Sequence, residues 1–137
     1  MKYPTLRRYL YLLLVPVLLP SAACAQQDGR AAEVALREGR YDDAIRIGRS
    51  ASRADPTDVA ARRALAQALY ETGAYDEAVE AAAELPLIRG LALRARGRYA
   101  EAEAAFQEAI QAGGPDRLTA EFHLAELLYL RGEVDEA

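Results

Sequence analysis

The sequence predicts an all-α fold: an α-solenoid of helix–turn–helix pairs, about three and a half of them, preceded by a signal peptide. Three observations predict it. Ala, Leu, Arg and Glu, the residues that favour helix most, supply much of the chain, and few runs are rich in Val, Ile or Thr. The stretch Gly73-Ala74-Tyr75-Asp76-Glu77-Ala78 recurs as Gly39-Arg40-Tyr41-Asp42-Asp43-Ala44, Gly97-Arg98-Tyr99-Ala100-Glu101-Ala102 and Gly132-Glu133-Val134-Asp135-Glu136-Ala137, with glycines 34, 24 and 35 residues apart. Residues 1–25 are built unlike the rest: they hold Lys2, Arg7 and Arg8 and no acid.

That first segment has the build of an export signal: a basic start, an apolar run from Tyr9 to Leu19 interrupted by Pro16, then Pro20, Ser21 and small residues. The run of 11 residues is shorter than the roughly 20 needed to span a bilayer. Cleavage after Ala25 fits the small-x-small pattern of Ala23-Cys24-Ala25 and makes Gln26 the new terminus. The competing reading takes Ser21-Ala22-Ala23-Cys24 as a lipobox with Cys24 lipidated. Ser21 stands where a lipobox usually has Leu, so the soluble exported form is preferred, in the periplasm or cell envelope of a bacterium. Cys24 is the only cysteine, so no internal disulfide is possible.

After residue 25 the chain carries 14 basic and 21 acidic groups, which argues against general nucleic-acid binding. Within this domain, 26–137, the pairs occupy about 28–56, 57–86, 87–115 and an incomplete 116–137. The first helix is expected over Asp28–Glu38, ended by Gly39, because glycine tolerates the left-handed conformation that closes helices. Tyr41 fills the corner, and Asp42 and Asp43 suit the positive start of the next helix, which ends near Ala54. Asp55-Pro56-Thr57-Asp58 is a turn in which Thr57 or Asp58 caps the third helix.

The second pair is predicted over Val59–Glu71 and Asp76–Leu85, where Pro86 ends it early. The interval of 24 to the next glycine implies two truncated helices with a tight turn at Leu85-Pro86. The third pair then runs from Leu87 to Arg96 and from Tyr99 to about Ala112. After the turn at Gly113-Gly114-Pro115-Asp116, Leu118–Leu130 forms the first helix of the fourth pair. Its partner helix would open at the last copy of the repeated stretch, so the natural protein is expected to continue beyond Ala137.

A period of 34 residues with this content resembles the tetratricopeptide repeat (TPR) family. Ala44, Ala51 and Pro56 match its pattern in the first repeat, and Leu65, Ala66, Leu69 and Ala78 in the second. Gly90, Leu93, Ala102, Phe106 and Ala109 match in the third, and Leu124, Ala125, Leu128 and Ala137 in the fourth. The large aromatic expected early in each first helix is replaced by Arg62, Pro86 and Glu121 in repeats two to four. The resemblance implies a right-handed solenoid with a concave groove lined by the first helix of each pair. By that alignment Arg63, Gln67, Tyr70, Arg94, Phe122, Glu126 and Tyr129 face the groove and would bind a protein or peptide partner.

No constellation for catalysis is present, so the chain is read as a non-enzyme without cofactor or metal. His123, the only histidine, lies between Phe122 and Leu124 and is read as an ordinary helix residue. The acids of the repeated stretch, Asp42/Asp43, Asp76/Glu77 and Glu101/Glu103, are read as capping and dipole groups. The Gly-Gly-Pro loop lacks the lysine of a phosphate loop. In the chaperone-tail type of TPR a terminal carboxylate is clamped by Lys, Asn and Arg. Gly29 and Glu33 stand in two of those places here, so that function is not carried over. The expectation is an exported scaffold for protein–protein contacts. Its alternatives are the N-terminal repeat region of a larger exported enzyme, such as a peptidase, and a lipid-anchored outer-membrane assembly factor.

Overall fold

The computed structural model describes residues 22–132, with side chains from Asp28 onward. The residues up to 21 of the segment expected to be an export signal, the side chain of Cys24 and the last copy of the repeated stretch from Glu133 onward lie outside the described residues. Seven α-helices and no strand occur among them: α1 (Ala22–Arg37), α2 (Tyr41–Ala54), α3 (Val59–Glu71), α4 (Tyr75–Ala81), α5 (Pro86–Ala95), α6 (Tyr99–Ala112) and α7 (Arg117–Arg131). The bounds of α3 and α6 are the expected ones, and α2 ends at Ala54 as expected. α1 starts at Ala22 rather than Asp28, because residues 22–27 include only types that a helix accepts and no breaker.

The second difference is α4. It was expected to reach Leu85 but stops at Ala81, and a turn comes next in which Leu85 N–H donates to Ala82 O at 2.9 Å. Pro86 explains this. A residue before proline is pushed out of the helical region, and Leu85 sits at φ −122°, ψ 75°. That conformation turns Leu85 into the core beside Ala66, Ala82 and Ile88. Pro86 therefore opens α5 as well as limiting α4, in the first-turn position where its missing N–H costs nothing.

The repeated glycine makes the same turn each time. Gly39, Gly73 and Gly97 have φ of 73°, 80° and 72°. The residue after each donates its N–H five residues back: Arg40 to Ala35, Ala74 to Leu69 and Arg98 to Leu93, each at 2.9 Å. This is the Schellman closure, which satisfies carbonyls that the helix end would otherwise leave free. The tyrosine after it varies in role. Tyr41 packs on the Ala35, Ala44, Ala68 cluster and Tyr75 meets Tyr70 at 5.8 Å between ring centres, while Tyr99 is exposed.

Each helix packs on the next in chain order. In addition α1, α3, α5 and α7 approach one another backbone to backbone in turn, whereas α2 and α4 meet through side chains, Arg49 with Glu77, and no backbone contact joins α2 to α4 or α4 to α6 among the described residues. First helices therefore crowd together and second helices splay apart. That difference curves the stack, with α1, α3, α5 and α7 on the concave side. Small residues set the helix separations: Gly48 lies against Leu65 of α3, and the ring of Phe106 lies on Gly90. Phe106 and Leu127 are the largest fully buried side chains, in a cluster with Leu93, Ala102 and Ala105.

Candidate functional site

The acids at the second-helix starts do not cap. The N-cap positions of α2, α4 and α6 are Arg40, Ala74 and Arg98, none with a side-chain cap bond. Instead Arg40 holds Asp43 at 2.7 Å, and Arg98 grips Glu101 with two bonds of 2.8 and 2.5 Å. In the second copy alanine replaces the arginine, and Asp76 pairs with Arg96 at 2.8 Å. These bonds hold the Asp43 and Glu101 carboxyls below their ordinary pKa, first through the hydrogen bonds from Arg46 and Arg98 respectively. Helix-dipole compensation alone is therefore not their role; they close the turns through arginine.

The residues expected in the groove lie on α3, α5 and α7. Arg63, one turn into α3, reaches Asp116 beside the start of α7, with Nη2–Oδ2 at 3.1 Å and Nη1–Oδ1 at 3.5 Å. Gln67 donates to Glu71 at 2.7 Å along its own helix. Tyr70 is half-buried against Leu65 and Leu69. Arg94 of α5 donates to Glu126 of α7 at 2.8 Å. His123 Nδ1 lies 2.9 Å from the same carboxylate. A carboxylate only accepts, so Nδ1 carries the proton and donates. Arg94 and His123, 3.4 Å apart, are then both donors to Glu126 rather than to each other. Their hydrogen bonds, Arg94 first, hold the Glu126 carboxyl below its usual range.

Phe122 and Tyr129 differ from these. They are 60 % and 68 % exposed, and Phe122 touches only the edge of the His123 ring among aromatic neighbours, at 5.3 Å between centres. The residues expected in the groove thus divide into charged and polar groups already matched inside the protein and two exposed aromatics. Two of its residues were missed from the sequence: Asp116, read as part of a turn, and His123, read as an ordinary helix residue. His123 is part-buried and stacks on Phe106 at 5.9 Å, so the ordinary reading describes its packing but not its bond to Glu126. No local signal marks Asp116, whose partner is 53 residues away and is selected only by the fold, whereas the His123–Glu126 pair has the i,i+3 helix spacing that could have marked it in the sequence.

Gly29 is buried because the Asp58 carboxylate lies where its Cβ would be, 2.3 Å from Oδ2. It contributes no groove-facing side chain. Two open depressions of about 440 and 460 Å³ lie along α2, and no groove residue lines either. Among the described residues no group of three His, Cys, Asp or Glu is placed to hold a metal, and no helix is long and apolar enough to cross a membrane.

Two models of the tetratricopeptide repeat match this chain, one over residues 35–90 and one over residues 87–137. The chain belongs to the tetratricopeptide repeat family. The matches begin at the last turn of α1 and together cover every later helix, meeting inside α5 where the spacing shortens. No curated protein matches the chain. TPR proteins generally mediate protein–protein interaction and are generally non-catalytic.

Proposed function

We propose that this protein is an exported bacterial TPR scaffold that holds a protein or peptide partner in its concave groove, without catalysis. The observation that supports the reading is the exposure of Phe122 and Tyr129 on α7, which together with half-buried Tyr70 of α3 are the aromatic residues assigned to the groove. Aromatic side chains bring large contact area at low entropic cost, and Tyr adds a hydroxyl for hydrogen bonding. Arg63, Arg94, Gln67 and Glu126 frame this surface and orient its helices, since each has an internal partner. Export rests on the sequence of residues 1–25, and with it the location in the periplasm or envelope.

The test is site-specific photo-crosslinking in cells, with the probe at Phe122 or Tyr129 and a control at Ser50, which is exposed on α2. A discrete crosslinked species is expected from the two groove positions and not from the control. Equal patterns at all three positions would refute the groove. Mass spectrometry of the mature terminus tests export: Gln26 as first residue is expected, whereas an intact Met1 would overturn it and a diacylated Cys24 would replace the soluble form with an anchored one.

A further inference from the structure

In a solenoid each repeat ordinarily contacts only its neighbours. Arg63 and Asp116 break that rule. Arg63 belongs to the second repeat and Asp116 to the fourth, and they meet across the third. The helix that holds Arg63 and the helix that Asp116 precedes have no backbone contact: α3 and α7 are not among the helix pairs whose backbones approach. The connection is made by side chains alone.

The shortened repeat makes the connection possible. Aligned on their closing glycines, α3 begins fourteen residues before Gly73 and α7 fifteen before Gly132, but α5 begins only eleven before Gly97. α5 therefore lacks about one turn at its start relative to both neighbours. A full-length α5 would place that turn between Arg63 and Asp116. Side chains on a helix also lean towards its N-terminus, which carries the Arg63 guanidinium to the end where the turn is missing. Asp116, the residue just ahead of α7, meets it there.

We propose that Arg63 and Asp116 form a strap across the concave face, which the truncated third repeat permits and which sets the width of the groove at the leading ends of α3 and α7. The second tie, Arg94 to Glu126, joins adjacent repeats and holds α7 to α5 further along. Of these two ties, the strap is the one that spans a whole intervening repeat. It regulates the groove assigned above and so rests on that assignment for its biological meaning, but its mechanical action is a property of the free protein. Both side chains are partly exposed, at 43 % and 32 %. Screening by salt therefore weakens the strap, since the Debye length falls to about 3 Å at 1 M. Releasing it opens the groove for a partner.

The experiment is a spin-label distance measurement on the full chain carrying Cys24→Ser, with nitroxides at Val59→Cys on α3 and Thr119→Cys on α7, both exposed positions. In low salt the otherwise unchanged protein is expected to give a short, narrow distance distribution. Asp116→Asn and Arg63→Met should each lengthen and broaden it, with unchanged helix content by circular dichroism. The charge exchange Arg63→Asp with Asp116→Arg should restore the narrow form, which a purely structural loss would not do. High salt should move the parent protein towards the single variants and leave those variants where they are. Identical distributions in parent and single variants, or failure of the exchange to restore the narrow one, would overturn the strap. Neither result depends on a partner, so loss of the strap and loss of the groove crosslinks are separate outcomes.

Discussion

Gly90 shows how tightly a single position is held. A Cβ there would stand 2.6 Å from Cε1 of Phe106 and 2.7 Å from Cδ1, closer than atoms can approach. Phe106 has no room to retreat, because it is fully buried among Leu93, Ala102, Ala105 and Leu127. Gly90→Ala is therefore expected to lower stability by about 1–3 kcal/mol through overpacking, despite the better helix propensity of alanine. Urea unfolding of the two proteins measures it, and an equal or higher midpoint for the alanine variant would contradict the packing. Charge is held less tightly. Glu126, Asp43, Asp55 and Glu101 all have carboxyl pKa values below their ordinary ones in the folded chain, Asp55 through the hydroxyl and N–H of Thr57. A depressed carboxyl stabilises the fold above its unfolded pKa and loses that contribution as pH falls through the folded one. Stability is thus expected to hold from neutral pH down to the ordinary Glu value of 4.5 and to decline below it. Thermal melts across that range check the direction, and Arg94→Met should reduce the part that belongs to Glu126, leaving the share that His123 supplies.

Helices in this chain end by chemistry that recurs and begin by chemistry that does not. The left-handed glycine closes α1, α3 and α5 in the same way. Among the described starts of α2 to α7, only α3 has a side-chain cap, the N–H of Ala61 donating to Asp58 Oδ1 at 3.0 Å. The other Asp58 oxygen is buried without a partner, which offsets part of the gain. Asp58→Ala is therefore expected to cost about 1 kcal/mol or somewhat less. Circular dichroism during urea titration measures it, and a cost well above that figure would mean that Oδ2 has a partner as well. α4 is different again. At seven residues it is too short to be helical alone, since nucleation is unfavourable in isolated helices of that size. It exists because Ala78 and Val79 pack on α3 and α5, and because Leu85 anchors the turn after it.

Stacking order decides how stability is distributed over the molecule. α5 and α6 are covered on both sides and share Phe106, whereas α7 leaves Leu118, Phe122, Tyr129 and Leu130 exposed. Ala125 shows the same gradient: it is only half-buried, while Ala66 and Gly90 at the equivalent places of α3 and α5 are buried. Because repeat stability is close to a sum of local and neighbour terms, amides of α5 and α6 should exchange most slowly and those of the last turn of α7 fastest. Hydrogen exchange read by mass spectrometry tests this order. Uniform protection from α3 to α7 would mean that the array unfolds as one block.

Much of the architecture was legible because it is encoded over a few residues at a time. Gly39, Gly73, Gly97 and Gly132 announce their turns wherever they stand, and the apolar spacing of Leu65, Leu69, Leu124 and Leu128 marks buried faces without reference to the rest of the chain. Even the shortened repeat was visible as an interval of 24. The groove was legible only as a set of positions. Arg63, Arg94 and Glu126 were placed on the right helices, but the sequence treated them as charges awaiting a partner. The fold supplies those partners from within. Asp116 meets Arg63 only because α5 is a turn short, and Glu126 meets Arg94 only because α7 lies beside α5. Such pairings depend on the separation and register of helices distant in sequence, which no local preference contains. The sequence by itself determined the helices and their hinges, because those arise from backbone and side-chain preferences within a turn or two. The tertiary structure decided which groove charges are already matched and which aromatics remain open, because that depends on how the helices stack.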